Sequence, residues 1–425
     1  MSELQELIRS SFSEFQDESS STHFDQFLGY INRTFKTDPE CMRVNWRDFA
    51  PDKYMVSNTP RKSDTTDPMI RQANGIVFQK ETNEIVFYGP DAPIELQVSE
   101  FLKYTQGVPL TVSPTAQTKS VYSLMDLMKK DPDDFEVHRH YDGTEFRIAF
   151  NETSNTWDCY TKGCLDGRIG SWNLDRSFWD LFVDITDKVN FDFDKLPHEY
   201  FYTFILCHPE NRTAVMYSRP KLVVSHIRNR ITFEELTDYT VFGDLFDNTK
   251  IIIQSDTTLE LTEVIQALTD DRSSKPLRDE DELYAIVIKN KTTGIRYLTI
   301  STFYDEIIQT LGKYPQIDVR IMELITQDDQ QKIDDFSKIF PRFAENILDL
   351  TTKFDDFVTK IYSEYITGGR LDRNSDTYMI IRDMNRLARY NKCELSREYV
   401  RVRLCKQEAK DILPFIGIKV HTYTV

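Results

Sequence analysis

Residues 73–89 read ANGIVFQKETNEIVFYG, two β-rich runs on either side of Glu81-Thr82-Asn83, which is a hairpin signal even without an Asn-Gly pair. A second hairpin is written in TEFRIAF, the polar turn NETSNT and WDCYTKG, which together run from Thr144 to Gly163. Further β-rich runs follow in YFYTFILCH, TAVMYS, KLVVSHI, LYAIVIKN and IRYLTIS, interspersed with SVYSLMDLMKKD and SFWDLFVDI, which have helical spacing. Phe178, Leu181, Phe182 and Ile185 share one face of such a helix, a face suited to packing on a sheet. Strands and helices mixed in this order predict an α+β fold with an antiparallel sheet core. From Tyr304 onward the pattern turns helical. RFAENILDLTTKFDDFVTKIYSEYI carries a sustained apolar stripe and meets a stop signal at Gly368-Gly369. The expected organisation is a helical N-terminal extension and linker over 1–65, a sheet domain over 66–305 and a helical C-terminal domain over 306–425.

The composition removes several classes of function. Apolar runs are short and broken by charge, well below the roughly twenty residues a membrane span needs. The start, MSELQELIRSSFSEFQDESSSTHF, is acidic and amphipathic, without the basic and apolar regions of a secretory signal. With six cysteines at no paired spacing, this predicts a cytoplasmic chain in a reducing compartment. A formal net charge of -17 excludes a surface that is basic throughout. One stretch departs from it. Arg370 to Lys410 holds eleven Lys/Arg against six Asp/Glu, and Arg382, Arg386 and Arg389 fall at i, i+4 and i+7 on one helical face. Such a face could hold an RNA backbone or an acidic protein, and the plainer reading is a solvated face. His138 and His140 share one strand face, but two histidines without a third ligand make no zinc site, so no structural metal is expected.

The chemistry gathers around EVHRHYDGTEFR, residues 136–147, where His140 stands two places before Asp142-Gly143. Four stretches, in order, resemble the phage-type RNA ligases and their relatives in large DNA viruses, members of the covalent nucleotidyltransferase superfamily. ANGIVFQKETNEIVFYG resembles the opening hairpin, with Asn74 in place of an arginine and Gly75 kept. HYDGTEFRIAF resembles the Lys-x-Asp-Gly element, with His140 in place of the nucleophilic lysine. WDCYTKG resembles the next strand, Thr161-Lys162-Gly163 matching Thr-Arg/Lys-Gly. YTFILCHPENRTAVMY matches at Pro209, Asn211, Arg212 and Val215, with Ile205 at the glutamate. Further on, Tyr284 and Ala285 stand at a Glu-Gly pair and Leu298 and Ile300 at lysines, while Arg296 and Tyr304 fit.

The resemblance implies an antiparallel nucleotidyltransferase, ATP-grasp-like ligase sheet, with a helical C-terminal domain. It implies ATP and Mg2+ as cofactors if the chain is active. It makes Asn74, Asp142, Gly143, Lys162, Arg212 and Arg296 candidates for nucleotide or phosphate contact, and His140 the residue at the nucleophile's place. Arg228 joins Arg382, Arg386 and Arg389 as a candidate for RNA. The transfer reaction needs a neutral amine near the α-phosphate, cations on that phosphate and carboxylates on the metal. Substitution at each such element points to a protein whose catalysis is lost or reduced, kept for binding RNA or a protein partner. Two other readings stand beside it. One is a working ATP-dependent RNA ligase, using His140 or a lysine from elsewhere such as Lys103, Lys129 or Lys130. The other is a structural component of a larger assembly, which, if viral, would place the chain in a virion or viral factory.

Overall fold

The computed structural model of the chain describes residues 42–47, 50–59, 65–108, 116–172, 176–247, 249–254, 259, 264–265, 268, 277–278, 283–312, 316–366, 377–390 and 392–420. Its strands are β1 (Met42–Arg47), β2 (Ala50–Asn58), β3 (Asn74–Gln79), β4 (Ile85–Phe87), β5 (Ile94–Gln97), β6 (Phe135–Arg139), β7 (Thr144–Asn151), β8 (Thr156–Thr161), β9 (Tyr200–Cys207), β10 (Val215–Met216), β11 (Lys221–Asn229), β12 (Ile252–Ile253), β13 (Leu277–Arg278), β14 (Ala285–Asn290) and β15 (Arg296–Ile300). The chain divides into two compact units: Met1–Asp271 with Arg278–Asp305, and Arg272–Leu277 with Glu306–Val425.

The first unit is mixed α+β. It contains an antiparallel meander β1-β2-β3-β4, a five-stranded sheet in the order β12-β11-β9-β7-β8, and a four-stranded sheet in the order β5-β15-β14-β6. Within the last two sheets only the β11/β12 and β15/β5 pairs are parallel. Both hairpins read from the sequence form, β3 with β4 and β7 with β8. Asn83 and Asn155 turn them with φ of 55° and 54°, the left-handed region that asparagine enters more readily than most residues.

Period-2 alternation decides what each sheet face meets. Phe146, Ile148 and Phe150 of β7, with Tyr202, Phe204 and Leu206 of β9, form one core with the helix Phe178–Val189. That helix starts at a capping box between Ser177 and Asp180 and stops at Asn190, whose φ is 59°. Burying each large apolar side chain in this core contributes about 1.5–3 kcal/mol. The alternate residues Ala149, Tyr160 and Phe201 pack instead on the meander. In the four-stranded sheet, Val137, Ile286 and Ile288 pack with Phe101, Val121 and Leu124 of the helices Val98–Thr105 and Ala116–Lys130. Glu136, His138, Val287 and Lys289 consequently face the other way.

The expected helical extension over 1–65 needs correction where it is described, because Met42–Arg47 and Ala50–Asn58 are strands. Tyr54, Met55 and Val56 are consecutive and all buried, as a strand covered on both faces requires and an amphipathic helix does not. Residues 1–41 and the Gly368-Gly369 stop lie outside the described residues.

The second unit is helical. Its helices include Ile317–Thr326, Gln330–Ile339, Ala344–Ile366, Tyr378–Tyr390 and Arg397–Leu404. Ile321, Met322, Phe336, Phe354, Val358 and Ile361 are buried within it. Among the described residues no helix is long and apolar enough to cross a membrane.

Candidate functional site

The cavity faces of the five- and four-stranded sheets line a space of about 510 Å³ within the first unit. Glu136 and His138 of β6, His140 just after it, Val287 and Lys289 of β14, and Arg296 of β15 come from one sheet. Glu145 of β7, Ile205 of β9 and Ser225 of β11 come from the other, and Asn74 and the segment Glu235–Thr237 also line the space.

A β-bulge determines part of this wall. The β11/β9 register shifts between Val224 and His226. Before the shift Leu222 and Val224 point into the helix-facing core, and after it Ile227 does. The extra residue therefore moves both His226 and Arg228 to the opposite face, the use to which proteins commonly put bulges near sites.

There His226 is buried with Glu235 and Arg296. His226 Nδ1 lies 3.2 Å from Glu235 Oε1, which can only accept, and 2.8 Å from Arg296 Nη2, which can only donate. Nε2 lies 3.2 Å from Arg228 Nε. Burial pushes the His226 imidazolium down to about 3, with Arg296 and Arg228 working in the same direction, so the ring is neutral. Glu235 also receives Arg296 Nη2 at 2.5 Å and Lys289 Nζ at 2.9 Å. Burial raises its carboxyl, but the surrounding partners win and hold it well below the usual carboxylate range. One carboxylate thus engages both Lys289 and Arg296. The remaining lysine of the lining, Lys291, is exposed.

Two buried polar side chains line the same space, and each holds one atom closed to water. Asn74 donates through Nδ2 to Pro90 O at 2.9 Å, while its Oδ1 is buried without a hydrogen-bond partner. His138 Nε2 lies 3.2 Å from Glu136 Oε2, so that nitrogen carries the proton. Burial lowers the His138 imidazolium and keeps the ring neutral, leaving Nδ1 as a lone-pair acceptor that is also buried and unpartnered. His140 lines the cavity half-buried. Burial pushes its imidazolium down to about 4 against the pull of Glu145, so it is neutral at pH 7.

Of the other sequence candidates, Asp142 and Gly143 build the turn. Asp142 N–H donates to the Tyr284 hydroxyl at 2.8 Å, and Asp142 Oδ2 accepts from Val215 N–H at 2.9 Å. A Cβ on Gly143 would stand 2.6 Å from both Ile205 Cγ2 and the Leu206 carbonyl oxygen, so β9 leaves room there only for glycine. Asn211 is a loop brace, donating to Leu206 O at 2.8 Å and accepting from Thr144 Oγ1 at 2.9 Å. Arg212, Asp142, Gly143, Lys162 and Arg228 are not among the cavity's lining residues. Arg228 is held by packing: its side chain is 11% exposed and its guanidinium lies 3.9 Å from the centre of the Tyr88 ring. Lys162 is half-buried beside Gly75, whose left-handed φ of +76° and close approach to Lys162 Cα require a glycine. Burial brings the Lys162 ammonium down to about 8, Glu145 holding it up and Arg147 pressing it down. Arg147 itself is fully buried and pairs with Glu145. Lys103, Lys129 and Lys130 lie on the helices that cover the four-stranded sheet, and none lines the cavity. Arg382, Arg386 and Arg389 are all exposed on the helix Tyr378–Tyr390 of the second unit, opposite its buried Ile381, Met384 and Ala388.

Glu145, His226, Glu235 and Lys289 were not picked out by motif order. For Glu145 a signal existed in TEFRIAF, where a strand carries a carboxylate on the face opposite three large apolar residues. For His226 none did, since the bulge that turns it inward leaves no mark in KLVVSHI.

No protein-family model matches the chain, and no curated protein does. Among solved structures it is similar to an archaeal ATP-dependent RNA ligase in two forms. One has 9% identity and a TM-score of 0.38 over 77% of this chain and 82% of that one. The other has 11% identity and a TM-score of 0.33 over 85% and 90%. A Naegleria gruberi RNA ligase mutant with AMP and Mn has 9% identity and a TM-score of 0.29 over 64% and 99%. At these values the superpositions give no residue-by-residue correspondence.

The cavity lining fits a triphosphate poorly, since the Glu235 carboxylate already engages Lys289 and Arg296. Among the described residues no group of three or more His, Cys, Asp or Glu side chains is arranged to hold a metal ion.

Proposed function

We propose that this chain is an RNA-ligase-like, nucleotidyltransferase-fold protein in which nucleotidyl transfer is lost or strongly reduced, and that it is retained for binding RNA. The observation that carries the reading is the capture of Lys289 and Arg296 by Glu235. Charge developing on an α-phosphate needs cations aimed at it in advance. Among the described lining residues Lys289 and Arg296 are the two cations largely withdrawn from water, and the Glu235 carboxylate offsets part of the charge they could aim at a phosphate. His140 adds to the case. A neutral imidazole is a competent nucleophile, but it is shorter than a lysine, and misplacement by about 1 Å can cost on the order of a hundredfold in rate.

The test is incubation of the full chain with α-labelled ATP or GTP and magnesium, followed by a search for covalently labelled protein. No labelled band is expected. A band that resists base but not acid and vanishes in His140→Ala would establish a histidine phosphoramide and overturn the reading. The competing route is a working ligase that uses a lysine from elsewhere in the fold as nucleophile. A labelled band kept in His140→Ala would establish that route.

A further inference from the structure

We infer that copies of this chain associate head to tail through the helical unit, the basic face of the helix Tyr378–Tyr390 in one copy seating on an apolar groove with acidic edges in the next. The inference stands whether or not nucleotidyl transfer is lost. The groove, of about 340 Å³, runs between the helices Gln330–Ile339 and Ala344–Ile366. Ile333 and Asp334 of the first and Ile347 and Leu348 of the second line it, together with Asp328. Leu348 is 70% exposed, while a different stripe of its helix, Leu350, Phe354 and Phe357, makes the contact with the core of the unit. An apolar side chain left in water on a groove with polar edges marks an interaction surface. The charge around it is negative. The segment 328–356 holds eight Asp/Glu against four Lys/Arg. Among the described residues Asp334 forms no ion pair, and the single Arg401 guanidinium is shared by Asp328 and Asp355.

The same unit carries the complementary surface. On the helix Tyr378–Tyr390, Met379, Arg386 and Tyr390 fall at i, i+7 and i+11, one stripe three turns long, with Arg382 and Arg389 beside it. Met379 is 52% exposed and Tyr390 still more so. The opposite stripe, Ile381, Met384 and Ala388, is buried, so the exposed one is held in place and loses little freedom on docking. Within one copy the two surfaces do not pair, since among the described residues Arg386 and Arg389 form no ion pair and Arg382 meets only Asp383. An RNA or an acidic protein on these arginines would leave Leu348 and Asp334 in water. A second copy covers both surfaces at once, and RNA would compete with it for the arginines. Contact between unlike patches is heterologous, so each docking leaves one groove and one helix free, and association runs past the dimer or closes into a ring. The net charge of -17 opposes approach at long range, so the contact forms where salt screens the whole molecules but not the touching groups.

The experiment is sedimentation velocity of the full chain, freed of nucleic acid, from about 1 to 100 μM in about 0.1 M salt, where the screening length is roughly 10 Å. The weight-average sedimentation coefficient is expected to climb with concentration beyond that of a dimer. Leu348→Gln, which alters only the groove, and Arg386→Ala, which alters only the helix face, should each weaken association about tenfold or more. Both positions are exposed. In an equimolar mixture the intact helix of one variant meets the intact groove of the other, so a one-to-one pair should re-form at wild-type concentrations and stop there. That mixture also shows that both variants are folded, because each must present one working surface. A wild type that stays monomeric throughout, association that either variant leaves unchanged, or a mixture without the pair overturns the inference. A monomeric wild type whose binding of oligouridylate is weakened by Arg386→Ala assigns the face to RNA instead.

Discussion

His226 and His140 show how far burial can move an ordinary group. In the unfolded chain both titrate near 6.5, while in the folded chain their imidazolium forms are pushed down to about 3 and about 4. Between 6.5 and those values the unfolded chain binds protons that the folded chain refuses, so acid favours unfolding. The stability they contribute is whole above 6.5 and is lost progressively as pH falls below it. For the deeply buried His226 the loss is about 1.4 kcal/mol per pH unit. Urea midpoints measured at pH 7 and pH 5 should therefore fall steeply, and His226→Gln should fall less than the wild type over the same interval. A midpoint insensitive to pH over that range would show that His226 is charged in the folded protein. At this scale the sequence is partly legible. His140 and Asn74 are found by their places in a motif, and both line the cavity. His226 and Glu235 are not, because what gives them a role is a register shift and an ion pair between residues far apart in the chain.

At the scale of elements, alternation was the most readable signal. The two hairpins and the helix Phe178–Val189 follow from apolar periodicity, since a one-residue slip would send every large side chain of β7 away from that helix. Met42–Asn58 was not readable in this way. Its consecutive buried residues make sense only once β3 is beside it, a pairing that lies outside the segment. The Asp142-Gly143 turn teaches a related lesson. Motif order marks it as nucleotide-binding, yet its hydrogen bonds tie Tyr284 and Val215 together and its glycine fits against β9. Gly143→Ala should destabilise the fold by about 1–3 kcal/mol, as overpacking against backbone does. Chemical denaturation measures this directly, and an unchanged midpoint would mean that β9 can yield at Leu206.

For the whole molecule, charge is the property that limits partners. A chain of net charge -17 repels nucleic acid at long range, so any RNA must be held where cations concentrate. Arg382, Arg386 and Arg389 supply such a place on one exposed helix face. Arg386 and Arg389 form no ion pair with another described residue, and Arg382 meets only its neighbour Asp383 at 3.3 Å, with both side chains about half exposed. Tyr390, 85% exposed at the end of the same helix, adds a surface on which a base can stack. The proposed RNA binding should accordingly weaken with salt, because each phosphate neutralised releases condensed counterions. On single-stranded RNA, replacing the three arginines with alanine should lower the slope of log K against log salt by up to about 2, at roughly 0.7 per contact. Fluorescence anisotropy over a salt series measures both slopes. If the triple variant keeps the wild-type slope, the helix face is a solvated surface and RNA is held elsewhere. If the wild type binds no RNA at low salt but does bind an acidic peptide in a manner that needs these arginines, the partner is protein. The cavity and this basic face lie in separate units, so variants can be made in one surface at a time.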